Sequence, residues 1–150
     1  MRFRTTPVKL KEGSSLIYLK TPWDTVIRRA EIKVSLLDTQ DDKVFDLSVI
    51  VDSGADVTVI SSSYAVSLGV DLTRIKEVEI KGISHCVKGR PAKVKIHLPQ
   101  LKDTFEIPVL FVDDPMTDMV LGREAFFDRY SIRFDTSNDY FYLIRKRSGD

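Results

Sequence analysis

The chain has 150 residues, a length typical of one domain with a sizeable core, and its 43% hydrophobic and 30% charged residues are those of an ordinary soluble globular protein. The net charge of +1 gives no electrostatic reason to expect nucleic acid or an anionic membrane as a partner. One cysteine and two histidines argue against an intrachain disulfide and most zinc sites, so we expect no metal site. Because no run of about 18 apolar residues occurs and the first residues lack the apolar core of a signal peptide, we expect a cytoplasmic protein with no membrane span.

Alternation of apolar and polar residues with a period of two, the pattern of strands with one buried face, runs through most of the chain. Residues 1–28 are predicted to be an N-terminal extension, either a strand or an arm, with a candidate first strand at residues 16–19. The folded domain is predicted over residues 29–147, followed by a tail at residues 148–150. Its first two strands are predicted at residues 30–36 and 45–51, separated by a polar break.

The middle of the chain predicts a short helix over residues 61–69, because a serine can cap its start and Gly69 can end it. A long hairpin follows, with Val78 and Ile80 on one strand, residues 94–98 on the other, and a tip bounded by Gly82 and Gly89. The remaining predicted elements are strands at 105–111, 130–134 and 140–144, a turn at 136–139, and one or two helical turns at 123–129. The predicted class is therefore all-β with one or two short helices.

The most informative motif follows the second predicted strand and reads Asp-Ser-Gly-Ala-Asp-Val-Thr-Val-Ile over residues 52–60. A strand ending at Val51 delivers Asp52 into a turn, where Gly54 allows close backbone approach and unusual backbone conformations. The Ser53 hydroxyl can form a hydrogen bond locally or across to a second copy of the chain. The pattern favours a carboxylate presented at a loop tip by a rigid base, which is how catalytic groups are usually held.

One carboxylate is not enough for amide hydrolysis by paired aspartates, in which an ionised group activates water and a protonated group polarises the carbonyl. The nearest second candidate, Asp135-Thr136-Ser137, lacks the glycine and lies at a predicted hairpin turn, so we interpret it as structural. The second aspartate must then come from a second chain, related to the first by a two-fold axis beside Asp52. The catalytic interpretation therefore predicts an obligate homodimer.

A second motif, Asp-Met-Val-Leu-Gly-Arg, occupies residues 118–123. Its apolar pair and Gly122 can pass under the Asp52 loop and brace it. Arg123 would then be close enough to form a bidentate ion pair with Asp56 and fix the loop. This pairing is a hypothesis that the structure can test.

Together these motifs resemble the retropepsin family of retroviral and retroviral-like aspartic proteases, including the Ddi-type proteases. The shared segments are residues 52–60, the Lys-Gly-Ile at 81–83, the Gly-Arg at 89–90 and the motif at 118–123. The resemblance covers about residues 30–145 and implies one lobe of an acid-protease barrel with a flap hairpin. The expected flap tip is not glycine-rich like that of the viral enzymes.

The resemblance implies an aspartic endopeptidase without a cofactor that acts on a polypeptide substrate as a homodimer. It makes Asp52 the catalytic aspartate, with Ser53 bonding across the dimer axis and Gly54 facing the substrate backbone. The whole implied supporting loop consists of Ser53, Gly54, Ala55, Asp56, Gly122 and Arg123. The implied substrate-binding flap consists of Gly82, Ile83, Ser84 and His85. The terminal strands, especially residues 140–144, are implied in the dimer interface.

Two other functions remain open from the sequence. The same fold can serve as a catalytically silent dimer that binds peptides or acts as a scaffold. It can also serve as a monomeric regulatory domain in which the pair of aspartates never assembles. Dimerisation separates the monomer from the other two, and loss of cleavage in an Asp52→Asn variant separates the enzyme from the silent dimer.

Overall fold

The structure, a computed structural model, describes residues 5–9, 11–12, 28–81, 86–115, 118–135 and 140–146. Four features predicted from the sequence lie outside these residues: the candidate strand at 16–19, the flap tip at 82–85, the hairpin turn at 136–139 and the tail at 148–150. The division of the chain at residue 28 stays a prediction.

The described residues form twelve strands, one α-helix and two 3₁₀ turns. The strands are β1 (Thr5–Lys9), β2 (Lys11–Glu12), β3 (Arg28–Arg29), β4 (Glu31–Leu37), β5 (Lys43–Val51), β6 (Thr58–Ser61), β7 (Val78–Lys81), β8 (Cys86–Leu98), β9 (Asp103–Val112), β10 (Met119–Leu121), β11 (Tyr130–Asp135) and β12 (Tyr140–Arg145). The helix is α1 (Phe126–Arg129), and the 3₁₀ turns are Ser62–Tyr64 and Leu72–Arg74.

Six of the strands close into a barrel in the order β4-β5-β10-β6-β9-β8, and β8 pairs back with β4 to complete the ring. The closing contact is antiparallel and places Leu36 opposite Ile96. Strand β7 lies outside the ring and pairs with the first half of β8 as a hairpin. The predicted all-β class, with a barrel of the retropepsin type and a hairpin on its side, is confirmed.

The barrel interior is filled by the apolar side chains that alternate along its strands. Val34 and Leu36 on β4, Ile96 on β8 and Ile107 on β9 are completely buried, while Lys33 on β4 and Lys93 on β8 are exposed. Each large aliphatic side chain removed from water in this way contributes about 1.5–3 kcal/mol before entropy costs. The alternation of apolar and polar residues in the sequence therefore corresponds to side chains on the inner and outer faces of the barrel.

The helix predicted over residues 61–69 is not an α-helix. Strand β6 runs through Ser61, whose hydroxyl accepts a hydrogen bond from the Ser63 backbone, and a single 3₁₀ turn follows. Hydrogen bonds of mixed span then complete the segment until Gly69, which ends it with a positive φ of 77°. Three consecutive serines and a valine are weak helix formers, which explains why the segment closes as turns.

The predicted helical turns at residues 123–129 are present in shorter form, because α1 spans Phe126–Arg129. Phe126 is completely buried and anchors this single turn against the core. Among the described residues, no helix is long and apolar enough to cross a membrane.

A separate three-stranded sheet is formed from both ends of the described chain, in the order β1-β12-β11. Strand β1, which lies within the segment predicted as an N-terminal extension, pairs antiparallel with β12 from Thr5 opposite Ile144 to Lys9 opposite Tyr140. Val8 on β1 is buried in the same core as the barrel strands. The sheet therefore needs the N-terminal strand for its packing, and we refer to it as the terminal sheet.

One buried carboxylate ties the terminal sheet to the barrel. Asp103, at the start of β9, is only 6% exposed and accepts hydrogen bonds from the Arg129 guanidinium at 2.8 and 3.2 Å. The Tyr130 hydroxyl donates to the same carboxylate at 2.6 Å, and Arg145 Nη1 lies 3.1 Å from its Oδ2. Because Tyr130 begins β11 and Arg145 ends β12, both strands are anchored at one end by Asp103.

The protonation of this cluster follows from its contacts. Burial opposes ionisation of Asp103, but the hydrogen bonds from Tyr130 and Arg129 and the charges of Arg129 and Arg145 outweigh it, so the pKa of Asp103 is lowered. Burial and the bond to Asp103 raise the pKa of Tyr130 to about 12. Asp103 is therefore ionised and Tyr130 protonated at neutral pH, the states that their hydrogen bond requires.

We predict that Asp103→Asn lowers the free energy of unfolding by about 2 kcal/mol, because two arginines lose their charged acceptor in a largely buried position. Asp41→Asn is the matched control, since Asp41 is exposed and its ion pair with Lys95 contributes less than about 1 kcal/mol. Asparagine also tolerates the positive φ at position 41. Urea unfolding of both variants measures the difference, and equal losses would contradict the anchoring role of Asp103.

A pH dependence follows from the lowered pKa of Asp103. A carboxylate with a lower pKa in the folded state stabilises the fold above its unfolded-state pKa, and this contribution is lost as the pH falls through the folded-state value. The stability difference between wild type and Asp103→Asn should therefore stay constant near neutral pH and shrink below about pH 4. A difference that persists unchanged into strong acid, measured by the same unfolding curves, would rule out this linkage.

Candidate active site

Asp52 lies where β5 leaves the barrel wall. Its backbone N–H donates to the Leu121 carbonyl at 2.9 Å, so the first residue of the loop is still held by β10. A tight turn follows, in which the Ala55 N–H donates to the Asp52 carbonyl at 3.2 Å. The Asp52 side chain is exposed, and its Oδ1 accepts the Gly54 N–H at 2.9 Å. The carboxylate is thus oriented by its own loop while remaining open to a ligand.

Strand β10 passes beneath this loop between β5 and β6. It is parallel to β5, with Leu121 opposite Val51, and antiparallel to β6, with Met119 opposite Ile60. Directly after β10, the chain forms two more main-chain hydrogen bonds to the Asp52 loop. The Arg123 N–H donates to the Ala55 carbonyl at 2.8 Å and the Glu124 N–H donates to the Asp56 carbonyl at 3.1 Å.

Gly122 sits at the closest point of this crossing. A Cβ atom at this position would lie 2.3 Å from the Val57 carbonyl oxygen and 2.9 Å from the Ala55 carbonyl oxygen, closer than any side chain allows. The Gly122 N–H donates to the Thr58 hydroxyl at 3.1 Å, and Thr58 is completely buried. Glycine is therefore required here by backbone contact.

The ion pair expected between Arg123 and Asp56 is not formed. In residues 28–81 and 118–135, which contain both partners, no nitrogen of Arg123 lies within ion-pair distance of the Asp56 carboxylate. The two segments are instead joined by the main-chain bonds of Arg123 and Glu124. Asp56 is exposed in this chain, where holding two charged side chains together gains little over hydration.

The structure brings together the predicted loop residues Asp52, Ser53, Gly54, Ala55, Asp56, Gly122 and Arg123 in one place. The predicted flap residues Gly82, Ile83, Ser84 and His85 lie outside the described residues. Part of the predicted flap tip is strand, because Cys86 to Gly89 pair with β7 as the start of β8. The roles of these residues in catalysis stay predictions.

A cavity of about 260 Å³ lies beside the loop, under the β7–β8 hairpin. Val57 of the loop forms one wall, Ile80 of β7 and Pro91 of β8 form others, and Glu124 contributes the acidic group at its edge. Leu110, which is almost fully buried, supplies an apolar floor. A mainly apolar side chain of a ligand bound along the hairpin would fit this cavity.

Two contributors to the site were not among the predicted site residues. Thr58 lies in the apolar stretch that follows the loop, and its buried hydroxyl accepts a hydrogen bond from the Gly122 N–H. A threonine inside an otherwise apolar run was the available signal. The Glu124 backbone N–H donates a hydrogen bond to the loop. The pattern of side chains in a sequence does not predict main-chain hydrogen bonds between distant segments.

A family model described as aspartyl protease matches residues 36–125 of the chain, which include the Asp52 loop and β10. The chain belongs to the aspartyl protease family. Among solved structures, the chain is similar to a retropepsin-like aspartic protease from Rickettsia conorii, with a TM-score of 0.59 and 16% sequence identity. That alignment covers 97% of this chain and 95% of the other and shows a shared fold.

Weaker structural similarities extend to two further proteins. The EIAV protease complexed with the inhibitor HBY-793 aligns at 23% identity and a TM-score of 0.46, over 67% of this chain and 86% of the other. The retroviral protease-like domain of Ddi1 from Leishmania major aligns at 13% identity and a TM-score of 0.47, over 81% and 97%. The search of curated protein sequences found no match to this chain.

The crossing under the Asp52 loop predicts that Gly122→Ala destabilises the protein by roughly 3 kcal/mol or more, because the added methyl overlaps backbone that cannot rotate away. Gly54→Ala is the matched control, since its Cβ would meet only the movable Asp52 carboxylate, at 3.2 Å. We expect that variant to lose less than about 1 kcal/mol. Thermal and urea unfolding compare the two, and similar stabilities would show that the crossing is not as close as described.

Proposed function

We propose that this protein is an aspartic endopeptidase whose active site forms when the Asp52 carboxylates of two identical chains face each other. The observation that carries the proposal is the exposed Asp52 carboxylate, oriented by the Gly54 N–H on a loop that β10 braces from below. Membership of the aspartyl protease family supports this use of the loop. Preorganisation of this kind is what positions a group for catalysis.

A second chain is required by the chemistry. One chain supplies one Asp52, and in the described part of the chain its carboxylate has no hydrogen bond to another carboxyl group. Two carboxylates in contact share one proton, because two like charges at that distance are unfavourable. A two-fold axis beside Asp52 supplies the second group without any further residue.

In the proposed reaction the ionised Asp52 takes a proton from water as the water oxygen bonds to the peptide carbonyl carbon. The protonated Asp52 of the other chain donates a hydrogen bond to the carbonyl oxygen and stabilises the charge that develops there. A carboxyl proton then transfers to the peptide nitrogen as the C–N bond breaks. The products are a carboxyl group and an amine, and the pair of aspartates is left with one proton as at the start.

The substrate in this proposal is an extended polypeptide lying along the β7–β8 hairpin. Among the described residues, β7 pairs only with β8, so its other edge can accept a further strand. The cavity beside Val57 and Ile80 would take one apolar side chain of that strand. Backbone pairing would give affinity, and the cavity would add selectivity.

We predict that wild-type protein cleaves a mixed peptide library, read by mass spectrometry from acid to neutral pH, and that Asp52→Asn lowers the rate by roughly 10³-fold or more. The loss follows because an amide can neither activate water nor supply a proton. Asp71→Asn is the matched control, since Asp71 caps a 3₁₀ turn on another surface and asparagine caps equally well.

The control variant should retain wild-type cleavage. Cuts that persist in Asp52→Asn would assign the activity to something other than Asp52. Wild-type dimers that make no cut at any pH would favour the silent peptide-binding dimer over the peptidase.

A further inference from the structure

Glu124 places a carboxylate at the edge of the cavity beside the Asp52 loop. Its backbone is held on both sides, because its N–H donates to the Asp56 carbonyl at 3.1 Å and its own carbonyl accepts the Phe126 N–H at 2.8 Å. The base of the Glu124 side chain is therefore fixed relative to the loop. The other described residues that line the cavity are all uncharged.

The charge of Glu124 has no partner within the residues that the structure describes. Its carboxylate is exposed and forms no hydrogen bond or ion pair with them. Two other acidic side chains of this region are paired, since Glu77 lies 3.8 Å from Arg90 and Glu106 lies 4.0 Å from Lys93. A cation supplied by a ligand would therefore meet an unpaired carboxylate at Glu124.

The residue before Glu124 carries a positive charge but belongs to another surface. Arg123 lines a separate groove of about 330 Å³ together with Ser53 and Phe134. Glu124 does not line that groove, and Arg123 does not line the cavity. The two charges therefore lie in different pockets, and the cavity keeps its negative edge.

A substrate strand paired with the free edge of β7 would direct alternate side chains toward the cavity. Val78 and Ile80 lie two residues apart on β7, and both line the cavity. They share one face of the strand, and side chains of an added strand on that face would lie beside them. Val78 is 38% exposed, so this wall is open to a ligand. One substrate side chain can thus enter the cavity while its neighbours face away.

The walls and the edge of the cavity together fit a side chain that has an apolar stem and a positive end. Lysine and arginine place their methylene stems against apolar surface and keep the charged group at the boundary with water. Leucine or methionine would also contact the walls, but the bound strand would then cover the Glu124 carboxylate without giving it a partner, which costs hydration. An acidic side chain would be repelled.

We propose that Glu124 makes this cavity a subsite for a lysine or arginine side chain of the polypeptide substrate, with the stem against the apolar walls and the cation paired with the Glu124 carboxylate. This inference rests on the proposed function, because that function places a substrate strand along the β7–β8 hairpin. The basic residue lies at one fixed position relative to the cut bond, since the same loop holds both Asp52 and Glu124.

Cleavage of paired synthetic peptides and of a mixed library by wild type, Glu124→Gln and Glu106→Gln tests the subsite. At one position relative to the cut, wild type should prefer lysine over norleucine, which has the same stem without the charge, by about 10-fold in kcat/KM. Glu124→Gln should still cut the norleucine peptide but lose the preference. Glu106→Gln is the matched control and should keep it, because Glu106 is exposed and does not line the cavity.

A charge reversal distinguishes recognition from a general effect on the loop. Glu124→Lys should shift the preference at the same position from lysine and arginine to glutamate and aspartate. A substitution that only loosened the loop would slow the cleavage of all peptides without changing which side chain is preferred.

Peptide binding separates the subsite from the peptidase activity. Asp52→Asn protein and the Asp52→Asn, Glu124→Gln double variant are immobilised, and the library peptides that each retains are identified by mass spectrometry. Basic peptides retained by the first and not by the second support the subsite even where wild type makes no cut. Cleavage through Asp52 with no preference for lysine or arginine at any position supports the peptidase and overturns the subsite. A basic preference that survives in Glu124→Gln, or an absence of basic peptides in both cleavage and binding, also overturns it.

Discussion

The passage of β10 beneath the Asp52 loop is the constraint on which the rest of the site depends. Four consecutive residues, from Leu121 to Glu124, each give one backbone group to the loop between Asp52 and Thr58. Three of these bonds join backbone atoms on both sides, and the fourth, from the Gly122 N–H, is accepted by the buried Thr58 hydroxyl. Their common requirement is room for two backbones to touch, and Gly122 supplies it. The Asp52 carboxylate can then be exposed and still have a defined direction, which a loop held only by surface ion pairs would not provide.

The same short segment also fixes the terminal sheet. Directly after Glu124 the chain makes the single turn of α1, and its last residue, Arg129, binds Asp103 together with Tyr130. Fewer than ten residues therefore separate the bonds that brace the Asp52 loop from the bonds that anchor β11. Both anchors are made to barrel strands, the first beside β5 and the second at the start of β9. The barrel consequently fixes the position of β11 relative to the Asp52 loop.

The sequence was informative where the signal is local and uninformative where it is not. Alternation predicted the barrel strands β4, β5, β8 and β9, because one face of each is packed on a single core. The glycine at 122 also predicted a close crossing, since its neighbours are apolar strand residues. The cluster around Asp103 could not be found in this way, because its partners lie 26 to 42 positions from Asp103 in the sequence and reach it only through tertiary packing. The prediction of an Arg123–Asp56 ion pair was wrong for a related reason. The residue types suggested a side-chain contact, but main-chain hydrogen bonds already join the two segments.

In the part of the chain that the structure describes, the barrel closes on itself, β1 pairs with one side of β12, and Phe134 on β11 is a large apolar side chain with 55% of its surface exposed, in the same groove as Ser53. On the proposed function, the Asp52 loop of one chain carries only half of the carboxylates that the reaction needs. A heterologous partner would not bring a second Asp52. A second copy related by a two-fold axis would bring it and would couple activity directly to dimer affinity, since a chain that loses its partner then loses its active site.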